Sequence, residues 1–200
     1  MRAPSRKALL EISQALRGWL TLEAGFGTET VPASSGSRRK GSSLHIGSGE
    51  NLELKQIEKE VVSCVKCPLH RGRTQTVFGE GSPRAELMFV GEAPGAEEDR
   101  QGRPFVGQAG KLLTKIIESI GLRREEVYIA NVIKCRPPGN RGPLPEEVHT
   151  CSPYLVRQIT LIRPRIICAL GRYATLVLVR KDESLSLLRG RFYDYQGIPV

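Results

Sequence analysis

The sequence predicts an α/β protein, a three-layer α/β/α arrangement around a short parallel central sheet whose last strand is incomplete. Three observations carry this expectation. Apolar runs of strand length alternate three times with stretches of helical periodicity. The first and third runs close directly on a glycine, Gly91 and Gly171. The residues able to do chemistry collect just beyond the runs, where parallel sheets bind their ligands.

Taken in order, residues 52–63 read as a helix that delivers the chain to Cys64. Residues 85–90 form an apolar run suited to a buried strand, and residues 108–120 repeat apolar side chains at helical spacing until Gly121 stops them. A second buried strand follows at 127–133. The helix at 145–162 places Pro145 in its first turn, where a missing N–H costs nothing. Residues 165–170 make the third strand, in which Cys168 reads as a small core residue. Residues 172–180 are helical, and 191–200 open a terminal hairpin or strand.

Three segments are expected: an amphipathic N-terminal helix within residues 1–24, a Gly/Ser-rich flexible linker at 25–50, and the α/β domain at 51–200. Leu9, Ile12, Leu16, Trp19 and Leu20 give the first its apolar face, which suits docking rather than chemistry. The linker carries Arg38-Arg39-Lys40 and has little with which to offset the entropy of ordering.

The 200 residues, 40% of them apolar, suffice for one sizeable core. No apolar run reaches the roughly 20 residues of a membrane helix, so no membrane is expected. Lys and Arg exceed Asp and Glu by 30 to 21, a formal charge of +9, which favours a polyanionic partner. Five cysteines and no secretory apolar region point to a reducing compartment, the cytoplasm, and away from a disulfide framework. A monomer with no obligate protein partner is expected.

Cys64-x-x-Cys67 is a local pair, whereas Cys135 and Cys151 have fifteen residues between them. Four thiolates suit either tetrahedral zinc or a 4Fe–4S cluster. The loose second pair, with Pro68 after Cys67 and Arg136-Pro137-Pro138 after Cys135, favours the cluster. Four unrelated buried thiols are the bland alternative.

After the first strand comes Gly91-Glu92-Ala93-Pro94-Gly95-Ala96-Glu97-Glu98-Asp99, then Gly102-Arg103-Pro104-Phe105-Val106-Gly107. Four carboxylates within eight residues of a basic chain suit the orientation of water or the stabilisation of a cationic transition state. For two of Glu97, Glu98 and Asp99, simple helix capping is the better account. Phe105 is available to stack on a flat ligand, or else plugs a local core. An Asn in a buried strand, Asn131, needs its amide paired, and a nucleobase edge would pair it. Lys134, Arg136 and Arg141 lie nearby, placed to hold a phosphodiester backbone.

These motifs together resemble the family 4 uracil-DNA glycosylases, the iron–sulfur, thermostable-type branch of that group. The resemblance covers residues 52–200. It rests on Cys64-x-x-Cys67-x-Leu69, the loop from Gly91 through Glu98-Asp99, the Gly102-to-Gly107 segment, Asn131-x-x-Lys134-Cys135-Arg136-Pro137-Pro138-Gly139-Asn140-Arg141, Cys151-x-x-Tyr154-Leu155 and Leu170-Gly171-Arg172. It implies a 4Fe–4S cluster on Cys64, Cys67, Cys135 and Cys151. It also implies hydrolysis of the N-glycosidic bond of uracil in DNA, leaving an abasic site after the base is flipped out. Phe105 would stack on uracil and Asn131 would pair with its polar edge. Gly91, Glu92, Ala93 and Pro94 would line the pocket. Glu92 or Glu98 would position water, and Asn140 would brace their loop. The family's second motif, His-Pro-Ala-like and following a fourth strand, has no counterpart before Val200, and His45, His70 and His149 lie outside its context. The expectation is therefore a glycosylase, either truncated in this sequence or weakened by the lack of this motif. The alternative is a non-catalytic iron–sulfur DNA-binding module descended from one.

Overall fold

The computed structural model describes residues 49–200 apart from position 182. The expectations for residues 1–24 and for most of the segment 25–50 lie outside the described residues. Helix α1 (Gly49–Val62) already begins inside the segment expected to be linker.

The central sheet has four strands in the order β1-β3-β2-β4, namely β1 (Glu80–Gly81), β2 (Leu87–Gly91), β3 (Tyr128–Asn131) and β4 (Ile166–Ala169). The three long strands are parallel, with Phe89 opposite Ile129 on one side and Cys168 on the other. β1 adds an antiparallel edge that the expected all-parallel sheet lacked. Two residues without apolar alternation leave no periodic signal to read.

Between the strands run α2 (Ala96–Gln101), α3 (Gln108–Ser119), α4 (Pro145–Ile162) and α5 (Arg172–Val179), followed by the short α6 (Leu185–Leu188). The strand period of two sorts the core into two faces. Met88, Val90, Tyr128, Ala130 and Ile167 pack with α1, α4 and α5. Leu87, Phe89, Ile129 and Ile166 face α3 through Leu113 and Ile117. Cys168 joins the second cluster as a partly exposed packing residue. Helices thus cover both faces, giving the three layers.

The chain closes with the hairpin β5 (Asp194–Tyr195) and β6 (Ile198–Pro199). Gln196 and Gly197, at φ 53° and 84°, form its two-residue turn with the left-handed backbone that a tight hairpin requires. β6 runs beside β4, and Ile198 and Val200 pack on the first core cluster. No helix among the described residues is long and apolar enough to cross a membrane.

Candidate active site

Parallel register places Gly91 opposite Asn131 at the carboxyl ends of β2 and β3. The ladder continues past both strands, since Val132 N–H donates to Gly91 O (2.9 Å) and Ile133 N–H to Glu92 O (3.2 Å). The backbone of the first strand-end loop is therefore fixed where it leaves the sheet. A Cβ on residue 91 would lie 2.4 Å from Asn131 Oδ1 and 2.4 Å from Phe105 Cζ, so only glycine admits this convergence.

Phe105 reaches that point through a left-handed backbone, φ 50°, a conformation that costs a side-chain-bearing residue on the order of 1 kcal/mol or more. Its surroundings hold it there. Gly110 lets the first turn of α3 lie against the Phe105 carbonyl, where any Cβ would overlap it. Arg124 donates to Pro104 O and is itself fixed by Glu80 (2.5 Å) and Thr114 Oγ1 (3.2 Å). Glu98 accepts from Gly95 N–H (3.1 Å), Val106 N–H (2.9 Å) and Gly107 N–H (2.8 Å), binding the two halves of the loop together.

Asn131 is 2% exposed, and its Oδ1 has no hydrogen-bond partner. A bare buried acceptor carries a desolvation penalty of about 1–3 kcal/mol, which a ligand donor would remove. It lies at the edge of an aromatic ring, and that pairing suits a flat molecule bearing an N–H.

The four carboxylates of this loop divide their work. Glu92 is half-buried, and burial alone pushes its carboxyl above the ordinary range. Glu98 is committed to backbone N–H groups. Asp99, buried, accepts from Thr74 N–H at 3.0 and 3.1 Å and ties α2 to the segment after the first cysteine pair. Glu97 pairs with Arg100 on the surface. Pro94 is buried beneath the loop and Ala93 is partly exposed.

The second strand-end loop departs from expectation at three residues. Lys134 is 1% exposed and cannot touch a phosphate. Its Nζ donates inward to Asn131 O (2.8 Å) and Gln158 Oε1 (2.7 Å), and burial lowers its pKa to about 8. Arg141 makes a two-pronged pair with the buried Glu147 (2.9 and 2.7 Å), which draws it onto the start of α4. Asn140 sits on an exposed turn at φ 55°, accepting from Arg136 Nε (2.7 Å), and makes no bond to the carboxylate loop. A charge on a loop reads as solvent-facing, so sequence reasoning put Lys134 outside when the network had drawn it in.

Cys64, Cys67, Cys135 and Cys151 line one cavity together with Arg73 and Tyr154. Cys64 follows α1, Cys67 precedes the 3-10 turn Pro68–Arg71, Cys135 follows β3, and Cys151 lies within α4. Donors are aimed at the sulfurs. Arg73 Nη1 lies 3.3 Å from Cys135 Sγ while also bonding Cys64 O (2.8 Å), and Lys134 N–H donates to Cys151 Sγ (3.3 Å). Burial pushes Cys67 and Cys135 up and Cys151 up to about 12. Thiolates in such surroundings need a compensating cationic group. Among the described residues no three His, Cys, Asp or Glu side chains gather as a single metal ion requires.

Sequence reasoning missed Arg73, Glu147 and Gln158, and read Asp99 as a strand-end carboxylate or helix cap rather than as the tie to Thr74. Only Gln158 left a signal: it interrupts the apolar stripe of Tyr154, Leu155, Ile159 and Ile162 on α4.

An α/β sheet with a buried, unpaired amide oxygen beside an aromatic ring at its strand ends defines a class. The chain belongs to the uracil DNA glycosylase superfamily, whose family model matches residues 78–199. Within it, the chain is similar to curated Type-4 uracil-DNA glycosylases. That of Archaeoglobus fulgidus is 52% identical over 147 residues, covering 72% of this chain and 74% of the relative. That of Sulfurisphaera tokodaii is 54% identical, covering 70% of this chain and 66% of the relative. That of Saccharolobus solfataricus is 53% identical, covering 73% and 69%.

Proposed function

We propose that this protein is a DNA-repair glycosylase that extrudes uracil from DNA and hydrolyses its N-glycosidic bond. The observation that carries the reading is the unpaired Asn131 Oδ1, buried beside Phe105 at the sheet's edge. Uracil presents an N–H between two carbonyls, so a planar amide can accept from the first and donate to one of the second. Cytosine has a bare ring nitrogen there and would meet acceptor with acceptor. Phe105 stacks on the extruded ring. Gly91 lets Phe105 and Asn131 meet, and Glu92, Ala93 and Pro94 form the wall of the pocket.

In the reaction the C1′–N1 bond breaks, leaving positive charge on the sugar and negative charge on uracil. Glu92 orients the attacking water and faces the sugar cation. Water oxygen bonds to C1′, its proton is released, and uracil leaves as an anion that takes up a proton. Glu98 acts earlier, as the brace that sets Val106 and Phe105. Arg136 keeps its terminal guanidinium N–H groups for phosphate, Nε being held by Asn140.

The four-cysteine cavity fits a 4Fe–4S cluster: its donor set is all sulfur, and cationic and N–H groups face it. Cys64, Cys67, Cys135 and Cys151 would hold it, and the bound group would serve as a staple between α1, β3 and α4. Every chemical step above uses only this chain's own residues.

Uracil release from single- and double-stranded DNA tests the assignment. Release from both, with none from thymine or cytosine, is the expected result. Binding without turnover would favour the non-catalytic DNA-binding module instead.

A further inference from the structure

Lys134 is a buried amine that no step above uses. Its side chain is held at two acceptors, Asn131 O and Gln158 Oε1, at 2.8 and 2.7 Å. Gln158, fully buried, is fixed in turn, its Nε2 donating to Phe78 O and Tyr128 OH, both at 3.0 Å. The Lys134 main chain is equally constrained: its N–H donates to Cys151 Sγ (3.3 Å) and its carbonyl accepts from Val77 N–H (2.8 Å). An amine has two N–H groups in its neutral form and three when charged, so these bonds stand in either state. An apolar side chain would fill the space without the cost of desolvating an amine. What the amine adds is a fixed carbonyl at the last residue of β3.

That carbonyl belongs to Asn131. Just past it, the neighbouring N–H groups of Val132 and Ile133 are held by the β2 side of the ladder. The rotation of the Asn131 peptide is thus set by Lys134 on one side and by the sheet on the other. We propose that Lys134, anchored by Gln158, is a positioning residue that aims the Asn131 amide at the base and couples that aim to the cysteine cavity through the Cys151 sulfur. The inference rests on the uracil-binding reading of Asn131. A displacement of about 1 Å at such a site costs up to about 100-fold in rate.

The test uses the full chain carrying its cluster. Lys134→Met keeps the aliphatic stem and removes both donated bonds. It should weaken binding of free uracil about tenfold and lower kcat 10- to 100-fold. Affinity for uracil-free DNA and visible absorption per mole of protein should stay unchanged. Because Lys134 acts through Asn131, the double variant Lys134→Met/Asn131→Ala should be no slower than Asn131→Ala alone. A merely structural role would lower the melting temperature and leave kcat of the folded protein and uracil affinity intact, which would overturn the proposal. Losses that multiply in the double variant would overturn it too. Should Lys134→Met not fold, Gln158→Leu leaves Lys134 in place and removes its anchor, along with the bonds to Phe78 O and Tyr128 OH, and the same uracil titration decides. An unaltered chain that neither binds nor releases uracil would sink the functional reading and this inference with it. An active unaltered chain with an equally active Lys134→Met would sink this inference alone.

Discussion

The strand-end site and the cysteine cavity sit on either side of five residues, Asn131 to Cys135, yet they present opposite polarity. At the strand end a bare acceptor, Asn131 Oδ1, faces an aromatic edge. In the cavity the acceptors are sulfurs, and a guanidinium and a main-chain N–H are already turned toward them. The first arrangement suits a neutral planar ligand that brings its own donor. The second suits an electron-rich group that needs donors supplied. On the proposed reading one short segment would serve two ligands, because consecutive residues of a strand and its exit loop point different ways.

If the cavity is the staple and the strand end the reader, damage to each should be separable. The largest effect is expected at the staple. Cys135→Ser should abolish visible absorption and destabilise by several kcal/mol, because binding energy for such a group is folding energy. The melting temperature should fall by about 10 °C or more. A variant that keeps its stability while losing colour would break the comparison. Asn131→Ala should do the reverse, lowering uracil release by about 100- to 1000-fold, the usual cost of one transition-state hydrogen-bonding group, with absorption and iron content intact. Phe105→Ala comes next. Loss of base stacking, about 1–3 kcal/mol, should weaken free uracil binding by roughly 10- to 100-fold. Alanine keeps a Cβ, so the left-handed backbone at φ 50° stays strained and gives no gain to offset that loss.

How much of this was legible beforehand depends on range. The helix at 145–162 and the three parallel strands came from periodicity, because apolar spacing within an element reports which face is buried. The local pair Cys64 and Cys67 could be read from spacing for the same reason. Partnerships across the chain left no such trace. Arg73 meets Cys135 sixty-two positions away, and Gln158 meets Phe78 at a distance of eighty. Lys134 was read as surface because charge predicts exposure, a rule that fails where buried acceptors, Asn131 O and Gln158 Oε1, meet the amine. Phe105 was singled out by its setting among Gly and Pro, but its left-handed backbone followed only from the packing of Gly110 and Arg124 around it.

The smallest expected effect separates the two regions by sign. Glu92, at the strand end, has its carboxyl raised by burial. Its folded state therefore holds a proton more tightly than the unfolded chain does. That stability is fully present below the unfolded value of about 4.3 and is lost as pH rises through the folded one. Glu147, one turn before Cys151, is lowered chiefly by its bonds to Arg141. Its contribution is present above about 4.3 and is lost as pH falls through the folded value. Near pH 7, Glu92→Gln should therefore stabilise by a few tenths of a kcal/mol, solvent screening keeping the gain small. Glu147→Gln should destabilise by about 1–2 kcal/mol, the value of a charge-assisted bond onto a buried carboxylate. Both differences from the unaltered chain should shrink as pH falls toward 4, from opposite sides. Urea unfolding at pH 7, 5.5 and 4 reads this directly. Differences of the same sign for both variants would mean that Glu92 gains a charged partner in solution, and its freedom to orient water would then be lost.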